Sequence, residues 1–183
     1  KLSNFLENFW IFLKILEPHD FSRGRFRKNK FVLLDRDGVI NVEKSYLYKI
    51  DEFEYETGVL EGLKILRDLG YKFSIITNQA GIARGYYSED DYFKLQNFIE
   101  KDLLKNGIKI EKTYFCPHHP DGIGKYKMDC ECRKPNTGNF LKAIKEFNID
   151  VEKSYMIGDR VTDLIPADKL GIKTVLVETG YGL

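Results

Sequence analysis

From Phe31 onward, short apolar runs alternate with stretches whose apolar residues recur at helical spacing. Phe31 to Leu34 is an unbroken apolar run closed by an Asp-Gly pair, which predicts a short strand buried on both faces. Gly58 to Leu69 sets Val59, Leu60, Leu63, Leu66 and Leu69 along one helical face, with Gly70 as the stop. Lys72 to Ile76 predicts a second strand ending at Thr77. Ser88 reads as the N-cap of a helix reaching about Leu104, because Glu89, Asp90 and Asp91 place negative charge in its first turn. Thr113 to Cys116, Ser154 to Ile157 and Thr174 to Val177 predict three further strands. Helices over Gly138 to Phe147 and near Asp163 to Leu170 fall between them. This order predicts an α/β fold, a Rossmann-like parallel sheet with right-handed crossovers and helices on both faces.

The first 30 residues follow another pattern. Leu2, Phe5, Leu6, Phe9, Phe12, Leu13 and Leu16 predict an amphipathic helix that Lys14 interrupts and that is too short to span a membrane. No small-residue cleavage pattern follows it, so it does not read as a signal peptide. Arg23, Arg25, Arg27, Lys28 and Lys30 then form a basic connector. Residues 1–30 are thus read as an appendage with a solvated linker, or as the tail of a fused or neighbouring domain, and residues 31–183 as the main domain. The chain begins at Lys, which leaves a fragment of a longer protein open.

Composition narrows the class. A chain of 183 residues, 43% hydrophobic and 31% charged, suits one soluble domain with a sizeable core. The net charge of +1 gives no broad footprint for nucleic acid, and nothing points to a membrane or to an oligomer, so a monomer is expected. All three cysteines, Cys116, Cys130 and Cys132, lie within 17 residues, an odd set that fits no disulfide framework. With His118 they supply the four soft ligands of a closed structural zinc site, with His119 as the competing imidazole. Thiols used for metal imply a reducing, cytoplasmic setting.

Three polar clusters follow three strands at their C-terminal ends, the edge where an open parallel sheet binds ligands. Asp35 and Asp37 flank Arg36. The first carboxylate could attack phosphorus and the second could serve as acid and base, although Asp-Gly after an apolar run also reads as a hairpin turn. Thr77 opens Thr-Asn-Gln-Ala-Gly-Ile-Ala-Arg-Gly, whose hydroxyl and loop amides suit a phosphoryl group, or which is a plain glycine-containing loop. Asp159 and Asp163 lie in Gly-Asp-x-x-x-Asp. Asp159 is placed to ligate magnesium opposite Asp35, and Asp163 either orients Lys134 or a metal-bound water, or caps the following helix. Lys134 would neutralise the nucleophile and the phosphoryl oxygens, while Arg133 offers a fork for a second anionic group.

The motifs at 35–41, 77–85, 116–120, 130–135 and 154–159, in this order, resemble the haloacid-dehalogenase-like phosphatases. Within them the likeness is to the heptose-bisphosphatase and histidinol-phosphatase branch, and it covers about Lys30 to the C-terminus. The resemblance implies a Rossmann-like domain with a zinc-bound loop, no large cap domain, and catalytic magnesium. It implies Asp35 as nucleophile, Asp37 as general acid/base, and Thr77 and Lys134 as phosphoryl-stabilising groups. Magnesium would be held by Asp35, Asp159 and the carbonyl of Asp37. Arg36, Glu43, Lys44, Ser45, Tyr46, Asn78, Gln79, Ala80, Arg133 and Arg160 would bind a small phosphorylated sugar. In the family such a reaction serves lipopolysaccharide or surface-glycan synthesis. Eleven residues separate His118 from Cys130, longer than in histidinol-phosphate phosphatases, which favours the sugar bisphosphate. A nucleic-acid 3′-phosphatase and a non-catalytic zinc-organised binding module are the remaining readings. Ser45 stands where the family often has Gly, the leading helix has no family counterpart, and the chain stops soon after Thr179 to Gly182.

Overall fold

A computed structural model of the chain describes residues 28–182. The expected leading helix, and all of the connector before Lys28, lie outside the described residues. Five strands form one parallel sheet: β1 (Phe31–Leu34), β2 (Lys72–Asn78), β3 (Ile110–Cys116), β4 (Tyr155–Gly158) and β5 (Lys173–Leu176), in the order β3-β2-β1-β4-β5. Around it lie α1 (Val59–Asp68), α2 (Ala80–Ala83), α3 (Glu89–Lys105), α4 (Gly138–Phe147) and α5 (Val161–Lys169). Among the described residues no cap domain interrupts this alternation. None of their helices is long and apolar enough to cross a membrane.

β1 occupies the middle of the sheet, with Leu34 in register with Ile75 of β2 and Ile157 of β4. All four of its residues are buried, as an unbroken apolar run between two helical layers requires. The two-residue period of the strands divides the core into two faces. Val32, Leu34, Phe73, Ile75, Tyr155 and Ile157 pack with Val59, Leu63 and Leu66 of α1 and Leu95, Ile99 and Leu103 of α3. Phe31, Leu33, Ile76 and Met156 pack on the other face with Phe140 and Ala143 of α4 and Ala167 of α5. Each large side chain so buried contributes about 1.5–3 kcal/mol, and this two-sided packing holds the C-terminal ends of β1, β2 and β4 level.

The helix signals agree with the structure to within a residue or two. Ser88 caps α3 through a reciprocal pair: its Oγ accepts from the Asp91 amide at 3.1 Å, and its own amide donates to Asp91 Oδ2 at 3.1 Å. β2 and β3 run longer than their apolar runs suggest, and the strand expected over Thr174 to Val177 ends at Leu176. The Thr-Asn-Gln loop contains a four-residue helix, α2, too short for any periodicity to reveal. The hairpin reading of Asp35 to Gly38 fails, since β1 pairs only in parallel and its turn delivers the chain across the sheet edge.

Candidate active site

The four motifs meet at the C-terminal edge of β1, β2 and β4, around a cleft of about 530 Å³. Its centre is Lys134. The side chain is 1% exposed, and Nζ donates to Asp35 Oδ1 at 2.9 Å, Asp163 Oδ1 at 2.9 Å and the Ile76 carbonyl at 2.7 Å. Every ammonium proton is thereby used, which is how a buried lysine stays charged. Although burial opposes its charge, the two carboxylates hold the Lys134 pKa above its ordinary value. Asn78 fixes the same residue from the backbone, accepting from the Lys134 amide at 3.0 Å and donating to its carbonyl at 3.1 Å.

Asp35 stands at the tip of β1, its Oδ1 bound by Lys134 and by the Arg36 amide at 2.8 Å. Burial pushes its carboxyl up to about 7, against the pull of Lys134. Asp163 sits in the first turn of α5 and performs both of its expected roles. Its Oδ2 accepts from the Arg160 amide at 3.0 Å, as a cap does, while Oδ1 holds Lys134.

Asp159 is 1% exposed and takes the Tyr181 amide on Oδ2 at 2.9 Å, but its Oδ1 is buried with no hydrogen-bond partner. A buried carboxylate oxygen left bare needs a cation. Carboxylate oxygens of Asp35, Asp159 and Asp163 all lie within 4.8 Å of one another, a hard oxygen set that fits a divalent ion such as magnesium. Gly38, at φ +79°, belongs to this site, because any Cβ there would collide with the Asp159 carboxylate.

The soft cluster also assembles. Ligand atoms of Cys116, His118, Cys130 and Cys132 lie within 4.8 Å of one another, with Cys132 Sγ at 2.8 Å from Cys116 Sγ and 3.5 Å from His118 Nδ1. Burial and neighbouring thiols push Cys132 well above its ordinary range, and burial raises Cys116. Thiolates would persist there only with a cation among them, so the donor set fits zinc. The competing ligand, His119, turns instead into the cleft, where its Nδ1 accepts from the Asp121 amide at 3.0 Å and its Nε2 lies 3.4 Å from Arg84.

Two of the expected substrate contacts are corrected. Arg36 is fully buried and faces the interior: its guanidinium donates to Asp37 Oδ1 at 2.9 Å and Oδ2 at 3.0 Å, and to the Leu47 carbonyl at 3.1 Å. It holds Asp37 rather than substrate. Lys44 points out of the cleft to the Glu52 carbonyl at 2.8 Å and Glu54 at 3.2 Å. Asn78 and Gln79 line the cleft, but their carboxamides are committed to Lys134 and to Asp37 and Thr77. Glu43, Ser45, Tyr46, Ala80, Arg133 and Arg160 do border the cavity. Ser45 and Tyr46 adopt φ of +48° and +73°, a costly shape for residues other than glycine, which explains why Gly suits position 45.

Arg84, Tyr87 and Tyr181 also line the cleft and were not singled out in the sequence, and His119, weighed there only as a zinc ligand, joins them. Arg84 was visible only as the second-last residue of the Thr-Asn motif. Tyr181 lies under the Arg160 guanidinium, 3.5 Å from its ring centroid.

The family model described as "HAD-hyrolase-like" matches residues 131–182. The chain is 45% identical over 152 residues to the D-glycero-beta-D-manno-heptose-1,7-bisphosphate 7-phosphatase of Pasteurella multocida, covering 82% of this chain and 83% of that one. It is 48% identical over 156 residues to the D-glycero-alpha-D-manno-heptose-1,7-bisphosphate 7-phosphatase of Photorhabdus laumondii, covering 84% and 85%. Among solved structures, the D,D-heptose 1,7-bisphosphate phosphatase from B. bronchiseptica, complexed with magnesium and phosphate, superposes with a TM-score of 0.75. It shares 30% identity, over 84% of this chain and 83% of that one. On these relatives and this constellation of aspartates and lysine, the chain belongs to the heptose-bisphosphate phosphatase family of haloacid-dehalogenase-like hydrolases.

Proposed function

We propose that the protein is a magnesium-dependent phosphomonoesterase that removes the 7-phosphate of D-glycero-D-manno-heptose 1,7-bisphosphate through an aspartyl-phosphate. The observation that carries this reading is Lys134 Nζ, 2.9 Å from both Asp35 and Asp163, beside the unpartnered oxygen of Asp159. A free Asp35 carboxylate oxygen attacks phosphorus, forming the new O–P bond as the ester O–P bond breaks. Asp37 passes its proton to the departing sugar alkoxide. A water then attacks the phosphoryl-aspartate, Asp37 takes the proton back, and phosphate leaves with Asp35 restored. Thr77 and Lys134 stabilise the phosphoryl oxygens. Asp35, Asp159 and the Asp37 carbonyl would hold magnesium, which would supply positive charge beside the nucleophile and the transferring group. Arg133 and Arg160, with Glu43 and the backbone over Ser45 and Tyr46, bind the remainder of a doubly anionic sugar. The reaction calls for one chain and a small diffusible substrate, in keeping with a cytoplasmic monomer.

Phosphate release from the heptose bisphosphate and from histidinol phosphate, each with magnesium, tests the substrate. The bisphosphate is expected to be turned over faster, and faster release from histidinol phosphate would overturn the assignment.

Zinc has a structural part in this proposal. It fastens the loop that ends in Arg133 and Lys134, and Arg133 also donates to the His118 carbonyl at 3.3 Å. Cys132→Ser is expected to release the single zinc per chain, seen by elemental analysis, and to lower kcat/KM by up to about 100-fold as the loop shifts. Full activity in a zinc-free variant would remove the metal from the account.

A further inference from the structure

Tyr87 has no part in the chemistry above, yet its hydroxyl is buried beside it. The residue is 7% exposed, and its OH donates to Gln79 Oε1 at 2.6 Å. At the other end of that carboxamide, Nε2 donates to Asp37 Oδ2 at 3.0 Å and to Thr77 Oγ1 at 2.9 Å. One amide thus joins the proton-transferring carboxylate to the phosphoryl-binding hydroxyl.

An amide has unlike ends, and the reverse orientation would turn an oxygen towards the Asp37 carboxylate. The ionised carboxylate only accepts, so it keeps the amide nitrogen, and the phenol donates to the oxygen at the far end. Burial pushes Tyr87 well above its ordinary pKa, so the phenol keeps the proton it donates. Its ring cannot drift, since Tyr48 stacks on it at 5.4 Å between centroids, with 15° between the planes. Gly81 also lies against it, and any Cβ there would run into the Tyr87 ring. Asp37 Oδ1 is held by Arg36 and by Asn41 Nδ2 at 3.0 Å, and Oδ2, the oxygen that Gln79 meets, also takes Arg36 Nη2 at 3.0 Å. Of these neighbours Gln79 is the one that also reaches Thr77, and its far end is held by Tyr87.

We propose that Tyr87 is a positioning residue for proton transfer: through the Gln79 carboxamide it sets the place of the Asp37 carboxylate against the leaving oxygen. This rests on the phosphatase reading above. Protonation of the leaving group matters for a sugar alkoxide and hardly at all for p-nitrophenolate, which departs unassisted. Tyr87→Phe keeps the ring and its stacking, and removes only the hydroxyl.

In single turnovers with magnesium, Tyr87→Phe is expected to slow phosphoryl transfer from the heptose bisphosphate about 10-fold, part of the ~10²–10⁴-fold that a placed acid supplies. KM should stay within about twofold, and transfer from p-nitrophenyl phosphate should slow by less than about threefold. In a Gln79→Leu background, the same change should cost less than about twofold, because the path through the amide is already cut. Equal losses on both esters, no loss on either, or full additivity with Gln79→Leu would each overturn the proposal. Should the wild type ignore the heptose bisphosphate, the substrate assignment fails. The comparison then runs on whichever aliphatic phosphomonoester the protein hydrolyses, so the two failures remain distinct.

Discussion

Asp35→Asn is expected to abolish steady-state phosphate release, by about 10⁴-fold or more, the scale on which loss of a covalent nucleophile acts in other enzymes. The substitution is nearly isosteric, and Lys134 keeps Asp163 and the Ile76 carbonyl as partners. Burial already pushes the Asp35 carboxyl up to about 7, so a neutral amide in its place should disturb the fold little. The melting temperature should therefore stay close to that of the wild type. After an acid quench, the native protein should carry labelled phosphate at Asp35 and the variant none. Turnover that survives the change would remove Asp35 as nucleophile and with it the aspartyl-phosphate.

Lys134→Met should fail in another way, losing stability as well as rate. Lys134 separates Asp35 from Asp163, both of which are buried beside it. Removing one partner from a buried ionic cluster costs about 3–5 kcal/mol, because the charges left behind have no solvent. For a domain of this size that corresponds to roughly 10 °C in melting temperature. Magnesium should restore part of the loss, since the ion would take up the same carboxylates. Phosphoryl transfer should fall at least ~10³-fold even with magnesium saturating, as the cation facing the transferring group is gone. A variant as stable as the wild type in the absence of metal would show that the three groups are not the coupled set described here.

The strands and their order of chemistry were legible because a parallel sheet imposes simple rules. Buried strands are apolar throughout, and ligands gather beyond their C-terminal ends, so Asp35, Thr77 and Asp159 could be placed from the runs before them. The cysteine cluster was legible from ligand chemistry and spacing alone. What the sequence concealed was the direction of side chains in the connecting loops. Arg36 lies between Asp35 and Asp37, and an arginine next to an expected phosphate site reads as a substrate contact. Yet the turn sends it inward, where Asp37, Leu47 and the Tyr92 ring surround it. Lys44 leaves the cleft for the same kind of reason, drawn to Glu52 and Glu54 across a loop with no periodicity. Asn78 and Gln79 were placed correctly but work on neighbouring protein groups, a distinction that lies in tertiary hydrogen bonds. Tyr87, His119 and Tyr181 come from three separate segments and share the cleft only after folding.

The enclosure of Lys134 has a practical corollary. Amine-directed reagents need a deprotonated nitrogen with a lone pair they can reach, and this ammonium has each proton tied down on a side chain 1% exposed. Peripheral lysines such as Lys94, Lys105 and Lys153 are accessible by contrast, with side chains 71%, 76% and 73% exposed. Bulk labelling with succinimidyl esters, for dyes or for attachment to a resin, would decorate those peripheral amines and spare the one that the proposed mechanism sets against the transferring phosphoryl group.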